Sequence, residues 1–302
     1  MEKKLCGIVP PLITPLLDND RLDVPGLERL IEHVIAGGVH GIFILGTTGE
    51  AQSLSFELRV EMIKQTSKIL NKRLPLLVGI SDTSISDSVQ LGQIAHSHSD
   101  AVALVSAPPY YFATGQPELT EFYERLIPQL ELPVYLYNMP SHTKVSFAPS
   151  TVKRIAENKK VIGFKDSSAN AVYFHSVMYE MRDREDFSLF VGPEEMMAEV
   201  VMMGADGGVN GGANIFPRLY VDLYNAATAG NIAEVRKLQA IVMQVSSTIY
   251  TVGNYGSSYI KGVKCALSTL GICNDYIATP FNHFEGESRQ KIVDAVHNLN
   301  LK

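Results

Sequence analysis

Eight short apolar runs alternate with amphipathic stretches along this chain of 302 residues, and such an alternation admits few folds. The runs fall at 7–14, 41–45, 74–80, 101–107, 132–137, 161–165, 187–191 and 207–210. Most are rich in Val, Ile and Leu without polar alternation, the pattern of parallel strands covered on both faces. The stretches between them carry helical spacing. Leu27, Leu30, Ile31, Val34 and Ile35 form one stripe, with Asp23 placed to cap it, Pro25 in its first turn and Gly37-Gly38 to end it. Phe56, Val60, Ile63, Ser67 and Leu70 form another, behind an N-cap at Ser55. Helices over 84–98, 117–130, 149–157, 170–182, 193–203 and 216–229 continue the series, the first of these polar and serine-rich. Eight such units predict an α/β chain folded as a (β/α)8 TIM barrel. A doubly wound open sheet would place a GxGxxG turn after its first strand, and none opens a helix there. Beyond residue 229 the spacing is helical only, at 231–250, 257–270 and 285–299. The barrel is therefore assigned to 1–229 and a C-terminal helical region to 230–302.

Charge and cysteine usage narrow the function classes. The chain holds 26 Lys and Arg against 32 Asp and Glu, a net charge of -6, which argues against nucleic-acid or anionic-membrane partners. Cys6, Cys265 and Cys273 show no CxxC spacing and leave an odd count, as reduced structural thiols do. Residues 1–5 enter the first apolar run without a signal core, and no apolar run is long enough to span a bilayer. A soluble, cytoplasmic protein is expected.

The chemistry-bearing residues gather where strands end, which in a barrel is the catalytic rim. Lys165 closes the run Val161-Ile162-Gly163-Phe164-Lys165. Desolvation at such a position disfavours the ammonium and lowers its pKa, leaving an amine that can form a Schiff base with a ketone. A strand-end lysine snorkelling to water is the plainer reading, and the surrounding strand ends weigh against it. The second run ends in Gly46-Thr47-Thr48-Gly49-Glu50, whose hydroxyls and N–H groups suit a carboxylate, or equally a capped Gly-rich turn. The fifth ends in Tyr135-Leu136-Tyr137-Asn138-Met139-Pro140, with Tyr135 and Tyr137 on one face. Tyr137 is the candidate proton shuttle, or a buried tyrosine satisfied by a backbone partner. The fourth leads into Pro108-Pro109-Tyr110-Tyr111, the seventh into Gly192-Pro193-Glu194-Glu195, the eighth into Gly207-Gly208-Val209-Asn210-Gly211-Gly212-Ala213-Asn214. The pair His96-Ser97-His98 ends a helix away from this rim and reads as a solvated turn in preference to a metal pair.

Gly-Thr-Thr-Gly-Glu at 46–50, Tyr-Asn-Met-Pro at 137–140, Gly-Phe-Lys-Asp at 163–166, Ala205-Asp206-Gly207-Gly208 and Lys261-Gly262-Val263-Lys264 together resemble the dihydrodipicolinate synthase/N-acetylneuraminate lyase family, over nearly the whole chain. The resemblance implies a (β/α)8 barrel with a C-terminal helical region, assembled as a homotetramer. It implies class I, metal-free lyase or synthase chemistry with no cofactor beyond the lysine itself. By the same resemblance Lys165 forms the Schiff base with pyruvate or another 2-oxo acid, and Tyr137 relays a proton. Thr47 and Thr48 hold the carboxylate, and Tyr111 completes the site, in some members from a neighbouring subunit. Gly49, Ser167, Gly192, Val209 and Gly211, at the same strand ends, complete the expected substrate-binding set.

Two departures bear on the substrate. Dihydrodipicolinate synthases carry an arginine where this chain has His142, and a guanidinium holds a carboxylate in a way an imidazole does not. Lys144, where the family pattern has glycine, reads as a solvated loop lysine before it reads as a replacement charge. Sialic acid lyases place an acidic pair like Glu194-Glu195 against sugar hydroxyls, yet a serine they use corresponds to Gly211. The same pair also suits the first turn of a helix. Lys165-Asp166-Ser167-Ser168 and Gly212-Ala213-Asn214 are closer to aldolases and dehydratases of 2-oxo-3-deoxy sugar acids. The reading is a lyase that cleaves or condenses such an acid with pyruvate as the common product, or a dehydratase on the same iminium. A dihydrodipicolinate synthase and an N-acetylneuraminate lyase are the alternatives. A catalytically silent regulatory barrel would be expected to lose Lys165, Tyr137 or the threonines, and all are present.

Overall fold

The computed structural model describes residues 4–18 and 20–301, so the reading of the first three residues lies outside the described residues. Among the described residues eight strands form one parallel sheet: β1 (Gly7–Ile8), β2 (Ile42–Ile44), β3 (Leu76–Gly79), β4 (Ala101–Ser106), β5 (Val134–Asn138), β6 (Val161–Asp166), β7 (Ser188–Val191) and β8 (Gly207–Gly208). Their order is β1-β8-β7-β6-β5-β4-β3-β2. The sheet closes on itself where Pro11 bridges Phe43 in parallel, with Leu12 N donating to Phe43 O at 2.8 Å. The predicted first strand, 7–14, is longer than β1. Pro10 and Pro11 have no N–H to donate, so the ladder thins to that single bridge.

Helices α1 (Val24–Ala36), α2 (Phe56–Leu70), α3 (Ile85–His98) and α4 (Gln116–Leu126) follow the first four strands in turn. Two short helices, α5 (Pro140–Thr143) and α6 (Pro149–Ile155), follow β5. Then α7 (Ala171–Met181), α8 (Met197–Met202) and α9 (Pro217–Thr228) follow β6, β7 and β8, completing a (β/α)8 TIM barrel. The chain continues as α10 (Ile232–Ile249), α11 (Ser258–Thr269) and α12 (Gly286–Leu299). The expected caps form: Asp23 accepts from Gly26 N at 2.9 Å and Ser55 from Leu58 N at 3.2 Å. Gly38, at φ +84°, turns the chain out of α1 in a conformation that glycine adopts freely. Polar α3 still buries Leu91 and Ala95, and that face is enough to seat it.

Two apolar layers result. The larger lies between strands and helices. The smaller fills the barrel, where Val9, Phe43, Leu77, Val105, Tyr135, Tyr137, Phe190 and Val209 point inward. Gly163 opens room in this interior, because a Cβ there would stand 2.2 Å from the Tyr135 ring. That space lets β5 and β6 pair with Tyr135 opposite Gly163 and Tyr137 opposite Lys165, and it sets the position of the amine above.

Candidate active site

Strand alternation sends Lys165 into the barrel and Asp166 outward. Lys165 is only 5% exposed. Its Nζ lies 4.1 Å from the centroid of the Tyr137 ring and 5.1 Å from that of Phe43. Burial pushes the ammonium below its ordinary pKa, against weaker opposing pulls from Tyr137 and Asp166. The Asp166 carboxylate is engaged elsewhere. It accepts from Asn138 Nδ2 at 2.7 Å, Ser168 Oγ at 2.8 Å and Ser168 N at 3.1 Å. Asn138 in turn accepts from Phe147 N at 3.2 Å, so the ends of β5 and β6 are locked together beneath the amine.

Tyr137 is 4% exposed, and its hydroxyl lies 3.2 Å from Thr47 Oγ1. The loop carrying Thr47 and Thr48 is shaped by left-handed backbone at Leu45 and Glu50, each at φ 57°. Gly49 lies so close to its surroundings that a Cβ would meet Leu12 O at 3.0 Å and Leu45 N at 3.2 Å. Thr14 Oγ1 donates to Gly49 O at 2.7 Å. Glu50 anchors the loop from behind: its buried carboxylate accepts from Ala278 N at 2.9 Å and pairs with the fully buried Lys264. Lys264 Nζ also donates to Tyr276 O at 2.7 Å. The hydroxyl loop is thus fastened to α11 and to the segment after it.

A cavity of about 200 Å³ opens above Thr47 and Tyr137, with Gln52, Ser81, Tyr110, Met139 and His142 among its walls. A smaller void of about 20 Å³ touches Lys165 and Val209 deeper in the barrel. His142 stands at the mouth, where desolvation lowers its pKa. Lys144 does not line the cavity. It donates to Tyr111 O at 3.2 Å and lies 5.8 Å from the centre of that ring. Thr48 is buried, its Oγ1 3.4 Å from Tyr259 OH. Ser167 and Gly192 are in contact range at the β6 and β7 ends, where a Cβ on Gly192 would meet Ser167 Oγ at 2.2 Å.

Three expected site residues stand apart from this group. Tyr111 is 71% exposed, its ring edge-on to Phe112, whereas its neighbour Tyr110 lines the cavity. Glu194 is 3% exposed and turned away from the cavity walls, accepting from Tyr220 OH at 2.7 Å and from the Tyr250 hydroxyl. Burial, with Glu195 adding to it, pushes the Glu194 carboxyl up to about 7. Glu195 is exposed and accepts from Ser246 Oγ. Neither glutamate lines the cavity, because the turn after β7 directs Glu194 toward Tyr220 and Tyr250 and Glu195 toward Ser246 of α10. His96 and His98 are exposed in the last turn of α3, remote from the rim. Gln52, Ser81 and Tyr110 escaped sequence reading because loop residues lack a periodicity to reveal their direction; the placement of Tyr110 directly after the fourth run was the available signal.

The profile of the dihydrodipicolinate synthetase family matches residues 4–299. A probable 2-dehydro-3-deoxy-D-pentonate aldolase of Escherichia coli, YjhH, is 27% identical over 293 residues, 96% of each chain. A 4-hydroxy-tetrahydrodipicolinate synthase of Methanoculleus marisnigri is 32% identical over 288 residues, 95% of this chain and 96% of that one. The solved structure of dihydrodipicolinate synthase from Bacteroides thetaiotaomicron superposes with a TM-score of 0.96 at 68% identity, covering 99% of this chain and 100% of that one. YagE of E. coli, solved in complex with pyruvate, gives 0.92 at 25% identity, covering 98% and 99%. A barrel with its buried amine on β6, a fold shared over its full length and a profile matched from residue 4 to residue 299 converge on one conclusion: this chain belongs to the dihydrodipicolinate synthetase family.

Proposed function

We propose that this protein is a class I lyase in which Lys165 forms the Schiff base of the reaction, with pyruvate as the common product and a hydroxylated 2-oxo-3-deoxy acid as the substrate cleaved. The family's chemistry runs through a lysine Schiff base without a metal. The observation that carries the assignment is the buried Lys165 amine over the Tyr137 ring, with the Tyr137 hydroxyl held by Thr47. Amine attack on the ketone and loss of water give an iminium. The C–C bond beta to it then breaks, and its electron pair enters the enamine. Tyr137 takes the proton of the departing aldehyde's hydroxyl, and Thr47 and Thr48 hold the carboxylate. Protonation of the enamine and hydrolysis release pyruvate and restore the amine. We place the enzyme in the cytoplasm as a homotetramer with no further cofactor. No helix among the described residues is long and apolar enough to cross a membrane.

The cavity walls support a neutral, hydroxyl-bearing tail. They offer Gln52, Ser81, Tyr110 and Thr143, while His142, its pKa lowered, is an uncharged wall at neutral pH. Lys144 is occupied at Tyr111. The glutamates do not line the cavity, so direct recognition of hydroxyls falls to these walls. The competing reading, condensation of pyruvate with aspartate semialdehyde, draws on the 68% identical structure described as a dihydrodipicolinate synthase. Lacking an arginine, that condensation loses charge-assisted hydrogen bonds of about 1.5–3 kcal/mol each, an order of magnitude or more in selectivity. The test measures kcat/KM with EDTA present for pyruvate plus the semialdehyde, against cleavage of a panel of 2-oxo-3-deoxy sugar acids and sialic acid. Faster cleavage of a sugar acid is expected. Faster condensation than cleavage of every acid would overturn the substrate assignment and restore the synthase.

A further inference from the structure

A polar cluster outside the reacting groups lies between the end of β7, the loop after β8 and helices α9 to α11. Glu194 sits at its centre, accepting from Tyr220, Tyr250 and Gly212 N, the last at 3.2 Å. The Tyr250 ring meets the Tyr259 ring edge-on at 4.8 Å. Two glycines leave space for the hydroxyls. A Cβ at Gly212 would stand 1.8 Å from Tyr220 OH, and one at Gly211 would stand 1.4 Å from Tyr259 OH. The Tyr259 hydroxyl lies 3.4 Å from Thr48 Oγ1. Adjacent threonines on one loop are therefore each met by a tyrosine. Thr47 faces Tyr137 from the barrel, and Thr48 faces Tyr259 from α11.

We propose that Tyr259 is a positioning residue for the substrate carboxylate: its hydroxyl, seated against Gly211 and braced by the Tyr250 ring, fixes the Thr48 hydroxyl in the orientation that receives the carboxylate. The inference rests on the reading of Thr48 as a carboxylate ligand. A hydroxyl ordered before binding spares the ligand the entropy of ordering it. The chain has built that order at a cost, since two residues of the β8 loop must lack side chains to admit the tyrosines. Glu194 orients Tyr250 from the far side, so the acidic residue of the β7 turn acts on the site through two rings.

The probe is pyruvate itself, read as the concentration that half-saturates inactivation by borohydride. Thr48→Val, Tyr259→Phe and the double variant are compared with the parent, with thermal midpoints alongside. Tyr259→Phe is expected to raise the half-saturating pyruvate about three- to tenfold, the size of one lost hydrogen bond. The maximal trapping rate should change less than twofold. The double variant should be no weaker than Thr48→Val alone, because neighbours in one network do not add. Gly211→Ala, which displaces the hydroxyl without deleting it, should show the same rise and serves should Tyr259→Phe not fold. If Thr48→Val leaves pyruvate binding unchanged, the reading of Thr48 fails and the inference with it. If Thr48→Val weakens binding but Tyr259→Phe and Gly211→Ala do not, only the inference is overturned. A fall in thermal midpoint without weaker pyruvate binding, or full additivity in the double variant, overturns it likewise.

Discussion

Lys165 is held by aromatic faces in place of a carboxylate partner, and this decides what it can do. The Tyr137 and Phe43 rings attract an ammonium far less than water does, so the neutral amine gains at the charged form's expense. Tyr137 is a wall of the site and, in our proposal, its proton carrier, and one substitution separates the two roles. Tyr137→Phe keeps the ring over Lys165, so borohydride with pyruvate should still label Lys165, while turnover falls by roughly 100- to 10,000-fold. A loss below about threefold would leave Tyr137 as wall alone. Glu194 makes a different claim at this scale. Its pKa is near 7 in the fold, against an ordinary 4.5. Between those values the folded chain keeps a proton that the unfolded chain releases. Stability on this account is fully present below 4.5 and is lost as pH rises to about 7, by about 3 kcal/mol. Glu195, Tyr220, Tyr250 and Tyr259 are titratable groups around it. Glu194→Gln should flatten this decline, so that urea midpoints at pH 5 and pH 8 draw together. An unchanged decline in the variant would assign it to another group.

At the scale of elements, the buried Glu50–Lys264 pair fastens the β2 loop to α11. Lys264→Met removes one partner and strands the other, a loss of about 3–5 kcal/mol. Urea unfolding should show it. A loss under about 1 kcal/mol would mean that water reaches Glu50. This pair also marks where sequence reading stops. Strands β2 to β7 were legible because burial on both faces writes a continuous apolar run. The caps at Asp23 and Ser55 were legible because they act on their own helix. The first strand was overextended because apolar character does not register the missing N–H of Pro10 and Pro11. Helix α5 was missed because four residues carry no period. Lys165, Tyr137 and the threonines could be read from strand ends. Tyr259 could not, since its partner Thr48 lies 211 residues away and nothing local in α11 marks it. Glu194 and Glu195 were legible as acids at the rim, but the direction of a short irregular turn was not.

For the whole molecule, Tyr111 and Phe112 are exposed, at 71% and 78%, and follow in sequence the cavity residue Tyr110. Assembly of copies, as proposed, would be expected to cover them. Light scattering should give four times the 33.2 kDa of the chain, and Tyr111→Ala should lower that mass or the activity. A fully active monomer would sink both the tetramer and the role of Tyr111. The cavity described above has a further consequence. Its walls come from separate loops, Gln52 after β2, Ser81 after β3, Tyr110 after β4 and His142 after β5, whereas the amine belongs to a strand. Recognition and reaction are mechanically divisible in such a molecule. The segments after β3, β4 and β5 carry none of Lys165, Tyr137, Thr47 and Thr48, so they can be rewritten by mutation while the bond-breaking step stays as inherited. Relatives at 27% and 32% identity that carry different activity names accord with that division.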